Sequence, residues 1–267
     1  MILVELVKLY RRPRTWLSLA LLVALPTVVA GFLSASGVAP RPGTGPAFLA
    51  AVLENGALFP AAALAIVLPL FLPLAVAVVA GDSVAGEAQA GTLRYLLVQT
   101  VGRTRLLVAK LLSVMAFTAT AVTLVAVSAY VVGTQLFGSA PLTSASGTSL
   151  TTTEASLRTA LAVAYVGWSM LGVAAVALFL STTTDSPLGA ALGAVALLVT
   201  STVLVGLEAA SSVRPYLPTR YWLAFVDLFR DPVLTRDLVR GVLLQGVYIV
   251  VFLGAAWAHF TTKDVTS

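Results

Sequence analysis

The chain has 267 residues, 59% of them hydrophobic and 10% charged, with a mean hydropathy of +0.99. Soluble domains carry about 25% charged residues, so an ordinary water-soluble enzyme is excluded, and the apolar content excludes intrinsic disorder. Cysteine is absent, histidine occurs once and the net charge is +5, which removes disulfides, thiolate metal sites and a cysteine nucleophile and reads as the basic flanks of a membrane protein rather than a nucleic-acid surface.

Residues 2–12 read as an amphipathic helix, with Glu5, Lys8 and Arg12 at i, i+3 and i+7 and Leu3, Leu6, Leu9 and Tyr10 on other faces. Pro13 disfavours helical geometry at Arg12 and marks a corner. Such a helix is expected to lie in the headgroup layer of the membrane. The first apolar run, 16–33, exceeds the 7–15 residues of a signal-peptide core and five more runs follow it, so it is expected to remain as a span.

Those further runs are 57–80, 111–132, 159–180, 188–207 and 242–258, and none of the six contains Asp, Glu, Lys or Arg. A hydrocarbon core about 30 Å thick takes roughly 20 such residues as a helix. The runs are continuous, where barrel strands would alternate. The expectation is an all-α integral membrane protein, a single six-helix domain over residues 1–267. Pro69 and Pro73 lie inside the second run and should kink it.

Lys8, Arg11, Arg12 and Arg14 precede the first span and Arg41 alone follows it, so the amino terminus is expected to be cytoplasmic. Six spans return the carboxyl terminus to the same side. The segment 208–241, outside in this topology, holds Arg214, Arg220, Arg230, Arg236 and Arg240, so the first span carries the orientation.

Between the second and third spans, residues 81–110 read as a cytoplasmic loop. Thr92 is an N-cap for a short helix through Val98, with Leu93, Leu96 and Leu97 on one side. A helix so short and apolar outside lipid calls for a protein partner. The segments 34–46 and 133–157, rich in Gly, Ser, Thr and Pro, read as loops. In 219–232, Tyr221, Trp222, Phe225, Leu228 and Phe229 share one helical face, expected either to anchor in the interfacial aromatic belt or to form a lid. Small residues in the fifth span form two rows: Gly189, Gly193, Ala196 and Thr200, and beside it Ser186, Ala190 and Ala194. Rows of this kind let helices approach closely in lipid, and Gly189, Ala190, Gly193 and Ala194 are the expected contact with a second copy or a similar chain.

No phosphate-binding loop, H-E-x-x-H or G-x-S-x-G stretch occurs, and no carboxylate of an ion relay lies in the six runs. His259 reads as an interface residue rather than a catalyst. No catalytic residue, metal or cofactor is expected on this chain, and any transport would draw energy from elsewhere.

At 81–110 the pattern G-D-x-x-A-G-E-x-x-x-G-T-L-R-x-L-L, followed by G-R-x-R-L-L-x-x-K, resembles the permease subunits of type-2 ATP-binding-cassette (ABC) exporters. So do E-L-x-K-L-x-R-R-P-x-x-W at 5–16, S-T-x-T-D-S-P with L-G-A-A-L-G at 181–193, and F-x-x-K-D-V at 260–265. Thr100 and Val101 stand where the family often has a proline. The resemblance implies a six-helix permease half in a bacterial cytoplasmic membrane, paired with a second half, identical or not. Two copies of a separate ATPase subunit, which binds ATP and Mg, would dock below. It also implies that the short helix is the docking element. Carried over, the coupling surface is Gly81, Asp82, Glu87, Gly91, Thr92, Leu93, Arg94, Leu96, Leu97 and Arg103, with Asp185 in a second contact. Membrane lipids are the other expected partner, and nucleic acid is not. A membrane sensor or regulator without transport, or a membrane enzyme of another motif, are alternative readings that an adjacent ATPase gene would disfavour.

Overall fold

A computed structural model of the chain describes residues 1–37, 48–53, 55–91, 102–138, 142–143 and 149–262. The helices are α1 (Ile2–Arg11), α2 (Pro13–Ser36), α3 (Leu49–Val52), α4 (Phe59–Val67), α5 (Phe71–Gln89), α6 (Arg103–Phe137), α7 (Thr152–Thr183), α8 (Pro187–Gly206) and α9 (Arg236–Thr262). Short 3-10 helices cover Gly56–Leu58, Glu208–Ala210, Arg214–Tyr216 and Trp222–Phe229. The strands β1 (Leu142–Thr143) and β2 (Ser149–Leu150) pair antiparallel, Leu142 opposite Leu150. Six helices, α2 and α5 to α9, are long and apolar enough to cross a membrane. The chain is a multi-pass, all-α membrane protein.

The corner after α1 forms as the proline rule requires. Arg12 is extended (φ −80°, ψ 125°), Pro13 opens α2, and the Thr15 hydroxyl donates to the Leu9 carbonyl at 2.7 Å across the bend. Beyond it α7 is the central helix, against which α5, α6, α8 and α9 all pack.

The second crossing is broken rather than kinked. A 3-10 turn at Gly56–Leu58 leads into α4, residues 68–70 form a turn, and α5 starts anew at Phe71. The two prolines explain the break. Pro69 and Pro73 lack N–H groups, so the carbonyls of Ala65 and Pro69 lose their helical partners. Pro73 falls in the first turn of α5, where the N–H would be unpaired in any case. At the far end of α4 the backbones of Gly56 and Gly133 touch so closely that a Cβ on either would collide with the other's carbonyl.

Several boundaries differ from those expected. The second crossing does not end at Ala80: α5 continues to Gln89, carrying Asp82 and Glu87 within the helix. Likewise α6 starts at Arg103, so Lys110 is helical and the loop expected over 81–110 shrinks at both ends. At 35 residues, α6 is about 52 Å long, well over the hydrocarbon thickness. The loop expected over 133–157 also shrinks. α6 runs to Phe137, and α7 starts at Thr152 behind a capping box in which Thr151 and Glu154 bond each other's backbone N–H at 2.9 and 3.3 Å.

The aromatic face of 219–232 points inward. Tyr221, Trp222, Phe225 and Phe229 are buried, the last three within the main core, so this face packs on protein rather than anchoring in lipid. Tyr165 donates to the Tyr221 carbonyl at 2.6 Å, and Gln245 donates to the Pro218 carbonyl at 2.7 Å. These bonds fasten the irregular backbone to α7 and α9 and give its carbonyls the partners that buried backbone needs.

The two small rows of α8 part company. Ala190 and Ala194 are buried inside the chain, so they are not free to meet a second copy. Neighbouring Ala191 explains why: its backbone nitrogen would lie 2.9 Å from a Cβ on Gly81, so α5 and α8 pack backbone to backbone and Gly81 has no room for a side chain. Gly189, Gly193, Ala196 and Thr200 stay exposed.

Candidate functional site

One end of the bundle buries a cluster of paired charges. The Met1 side chain packs on a small cluster formed by Val84 of α5, Leu106 and Leu107 of α6, Leu178 of α7 and Phe260 of α9. The start of α1 and the described end of α9 therefore lie at the same end.

Across this end α1 is laid with its polar face inward. Lys8 donates to Glu87 at 2.6 Å, and Lys110 approaches the same carboxylate oxygen at 2.9 Å and Glu5 at 3.6 Å. Arg12 and Arg14 both pair with one oxygen of Asp82. Four cations thus meet three carboxylates. Lys110 is 1% and Glu87 4% exposed, and such burial is tolerable because each charge is paired. The outward face of α1 shows Leu3, Val4 and Val7 to the surroundings. Its polar face thus meets the protein and its apolar face the surroundings.

A second fastening lies one turn away. The Ser181 hydroxyl donates to the Gly81 carbonyl at 2.6 Å and accepts from the Val84 and Ala85 amides at 3.1 and 2.9 Å. It stands inside the helical ladder of α5, between a carbonyl and an amide that would otherwise bond each other, an arrangement that bends helices.

The residues expected to form a coupling surface fall into three groups. Gly81, Asp82 and Glu87 lie in α5, buried, with Asp82 and Glu87 tied to α1 and α6. Gly91, left-handed at φ 66°, follows the end of α5, and Arg103 opens α6. Arg103 donates to the carbonyl of Thr261 at 2.8 Å and of Phe260 at 3.4 Å, capping α9. Asp185 is exposed in the turn between α7 and α8. Thr92, Leu93, Arg94, Leu96 and Leu97 lie outside the described residues.

Sequence reasoning missed Glu5, Lys110 and Ser181 as members of this site. For Lys110 a signal existed, a lone lysine between Ala109 and Leu111 at the mouth of an apolar run. Among the described residues no group of three or more His, Asp or Glu side chains is arranged to hold a metal ion. The arrangement ties α1 to α5 and α6.

Residues 27–266 match the family model described as "Protein of unknown function (DUF2705)". The chain belongs to the DUF2705 family. The matched region begins inside α2 and takes in Asp82, Glu87 and Lys110, whereas α1, with Glu5, Lys8 and Arg12, precedes it. No curated protein matches the chain.

Proposed function

We propose that this DUF2705 protein is the permease subunit of an ATP-driven exporter of the type-2 ABC kind, forming a translocation path with a second permease half. The observation that carries the reading is where the stretch 92–101 is anchored. It resembles the docking loop of those permeases, and its flanks, α5 and α6, both end at the charged end of the bundle and are held there by Glu87 and Lys110. A push on that stretch is delivered to two long helices at once. Through Ser181 and Gly81 it also reaches α7 and α8. The ATPase would be a separate chain in two copies, and its closure would shift the populations of inward- and outward-facing states.

In this reading the charged end faces the cytoplasm, in keeping with Lys8, Arg11, Arg12 and Arg14 ahead of the first apolar run, and the membrane is a bacterial cytoplasmic membrane. The exposed row Gly189, Gly193, Ala196 and Thr200 is the face of α8 left for a second half.

Co-purification decides the matter. The tagged chain, solubilised from membranes, is expected to bring down an ATPase with a phosphate-binding loop, and Leu96→Asp is expected to lose it while still inserting. A wild-type chain that carries no ATPase, or a Leu96→Asp variant that retains it, would overturn the reading.

A further inference from the structure

The two pieces of the second crossing are fastened to different neighbours. α4 packs chiefly on α6, and α5 chiefly on α7 and α8. Phe59, Ala62, Leu64 and Val67 of α4 are fully buried, and the Gly56 amide ahead of them donates to the Gly138 carbonyl at 3.1 Å. α5 is held further along, where Gly81 presses on the Ala191 backbone and the Ser181 hydroxyl enters the ladder.

Between the two pieces the ladder is interrupted. The Leu68 amide still reaches the Leu64 carbonyl at 2.9 Å, and the Leu74 amide reaches the Leu70 carbonyl at 3.0 Å. Pro69 and Pro73 have no N–H to give to Ala65 and Pro69, so two bonds of a continuous helix cannot form. Leu70, at φ −143° and ψ −55°, turns the chain from one piece to the other. Helices bend where the ladder is broken in this way.

The joint also has room to move. α5 meets α8 backbone to backbone at Gly81 but stands off it at its start. There a cavity of about 180 Å³ separates Pro69, Leu70, Pro73 and Leu74 from Val195, Val199 and Thr202 of α8. Packed interiors hold few voids larger than a water molecule, so a gap of this size leaves the first turn of α5 free to shift. On the outer side Pro69, Leu70 and Phe71 are exposed, so among the described residues nothing clamps the joint from there.

We propose that residues 68–70 are a hinge. α5 rocks about its contact at Gly81 and Ala191, and its first turn moves into the cavity toward α8. The joint takes up the change in angle while α4 stays on α6. The motion belongs to the chain itself and stands whether or not the protein transports anything.

The test is the distance between spin labels in the full chain, diluted with unlabelled chain in phosphatidylcholine vesicles and frozen. No native cysteine competes. Phe71→Cys with Tyr130→Cys measures the first turn of α5 against α6. Val108→Cys with Tyr130→Cys, both on α6, gives the breadth of a rigid pair, and all three positions are exposed. Hinge motions take microseconds to milliseconds, so freezing traps both angles. The first pair is expected to give a broader distribution than the second. Pro69→Ala with Pro73→Ala, which supplies the missing N–H groups, should narrow it to the breadth of the rigid pair. Val199→Phe, which fills the cavity from an exposed position, should narrow it as well by holding α5 off α8. A wild-type distribution no broader than the rigid pair would overturn the proposal. So would undiminished breadth in Val199→Phe or in the double proline variant.

Discussion

The two ends of the bundle are closed by different means. At the end where α1 lies, Glu5, Asp82 and Glu87 meet Lys8, Arg12, Arg14 and Lys110. At the other end, Tyr221, Trp222, Phe225 and Phe229 turn inward, and hydroxyl and amide side chains hold the backbone behind them. Aromatic burial scales with area and holds a segment wherever it fits. Charge pairing is directional, and an unpaired partner is costly. Breaking the charged end therefore leaves orphaned charges, whereas breaking the aromatic end leaves a cavity.

The sharpest way to break this comparison is to remove one centre from each end. Glu87→Ala leaves Lys110 buried with only the more distant Glu5, and should cost about 3–5 kcal/mol. Phe225→Ala, at a fully buried ring, should cost a similar 3–5 kcal/mol as a cavity. Thermal unfolding in detergent measures both. The distinguishing outcome is a second-site rescue. Lys110→Met, which removes the orphaned lysine, should restore much of the Glu87→Ala loss and none of the Phe225→Ala loss.

A smaller effect is expected at Ser181. Ser181→Ala removes the hydroxyl from the ladder of α5 and leaves the Gly81 carbonyl and two amides to re-pair, costing about 1–3 kcal/mol. Hydrogen exchange at Val84 and Ala85 should rise more than exchange at Tyr165. Smallest is Arg14→Ala. The Arg14 side chain is half exposed and Asp82 keeps Arg12, so the loss should be about 0.2–1 kcal/mol and shrink with added salt. A loss at Arg14 as large as that at Glu87 would mean that the cluster acts as one indivisible unit.

How much of this was legible in the chain depends on whether a feature is local. The six crossings follow from uninterrupted apolar runs, and the corner at Pro13 from one residue's geometry. The capping box was written in Thr151 and Glu154 but was passed over inside a stretch rich in Ser and Thr. The ends of α5 and α6 were not legible from a hydropathy rule. Such a rule stops at Asp82 and Lys110, whereas here the helices continue because the charges find partners: Asp82 in Arg12 and Arg14, and Lys110 on α5 and α1. The aromatic stripe at 221–229 was legible as a stripe, but its direction was not. Periodicity tells which residues share a face and leaves open whether that face meets lipid or protein. The same holds for the two rows of α8, which pattern alone made equivalent and which the contact with Gly81 divides. The docking helix expected at 92–98 lies outside the described residues.

The inward polar face of α1 also bears on how the protein is made. Lys8 precedes its partner Glu87 by 79 residues, which at the usual 5–20 residues per second takes about 4–16 s to synthesise. Throughout that interval the carboxylates that will hold α1 do not yet exist. Its cations then have only water for company, and the joint they will form waits on the synthesis of α5 and α6. The first helix to be made is thus among the last to be fastened.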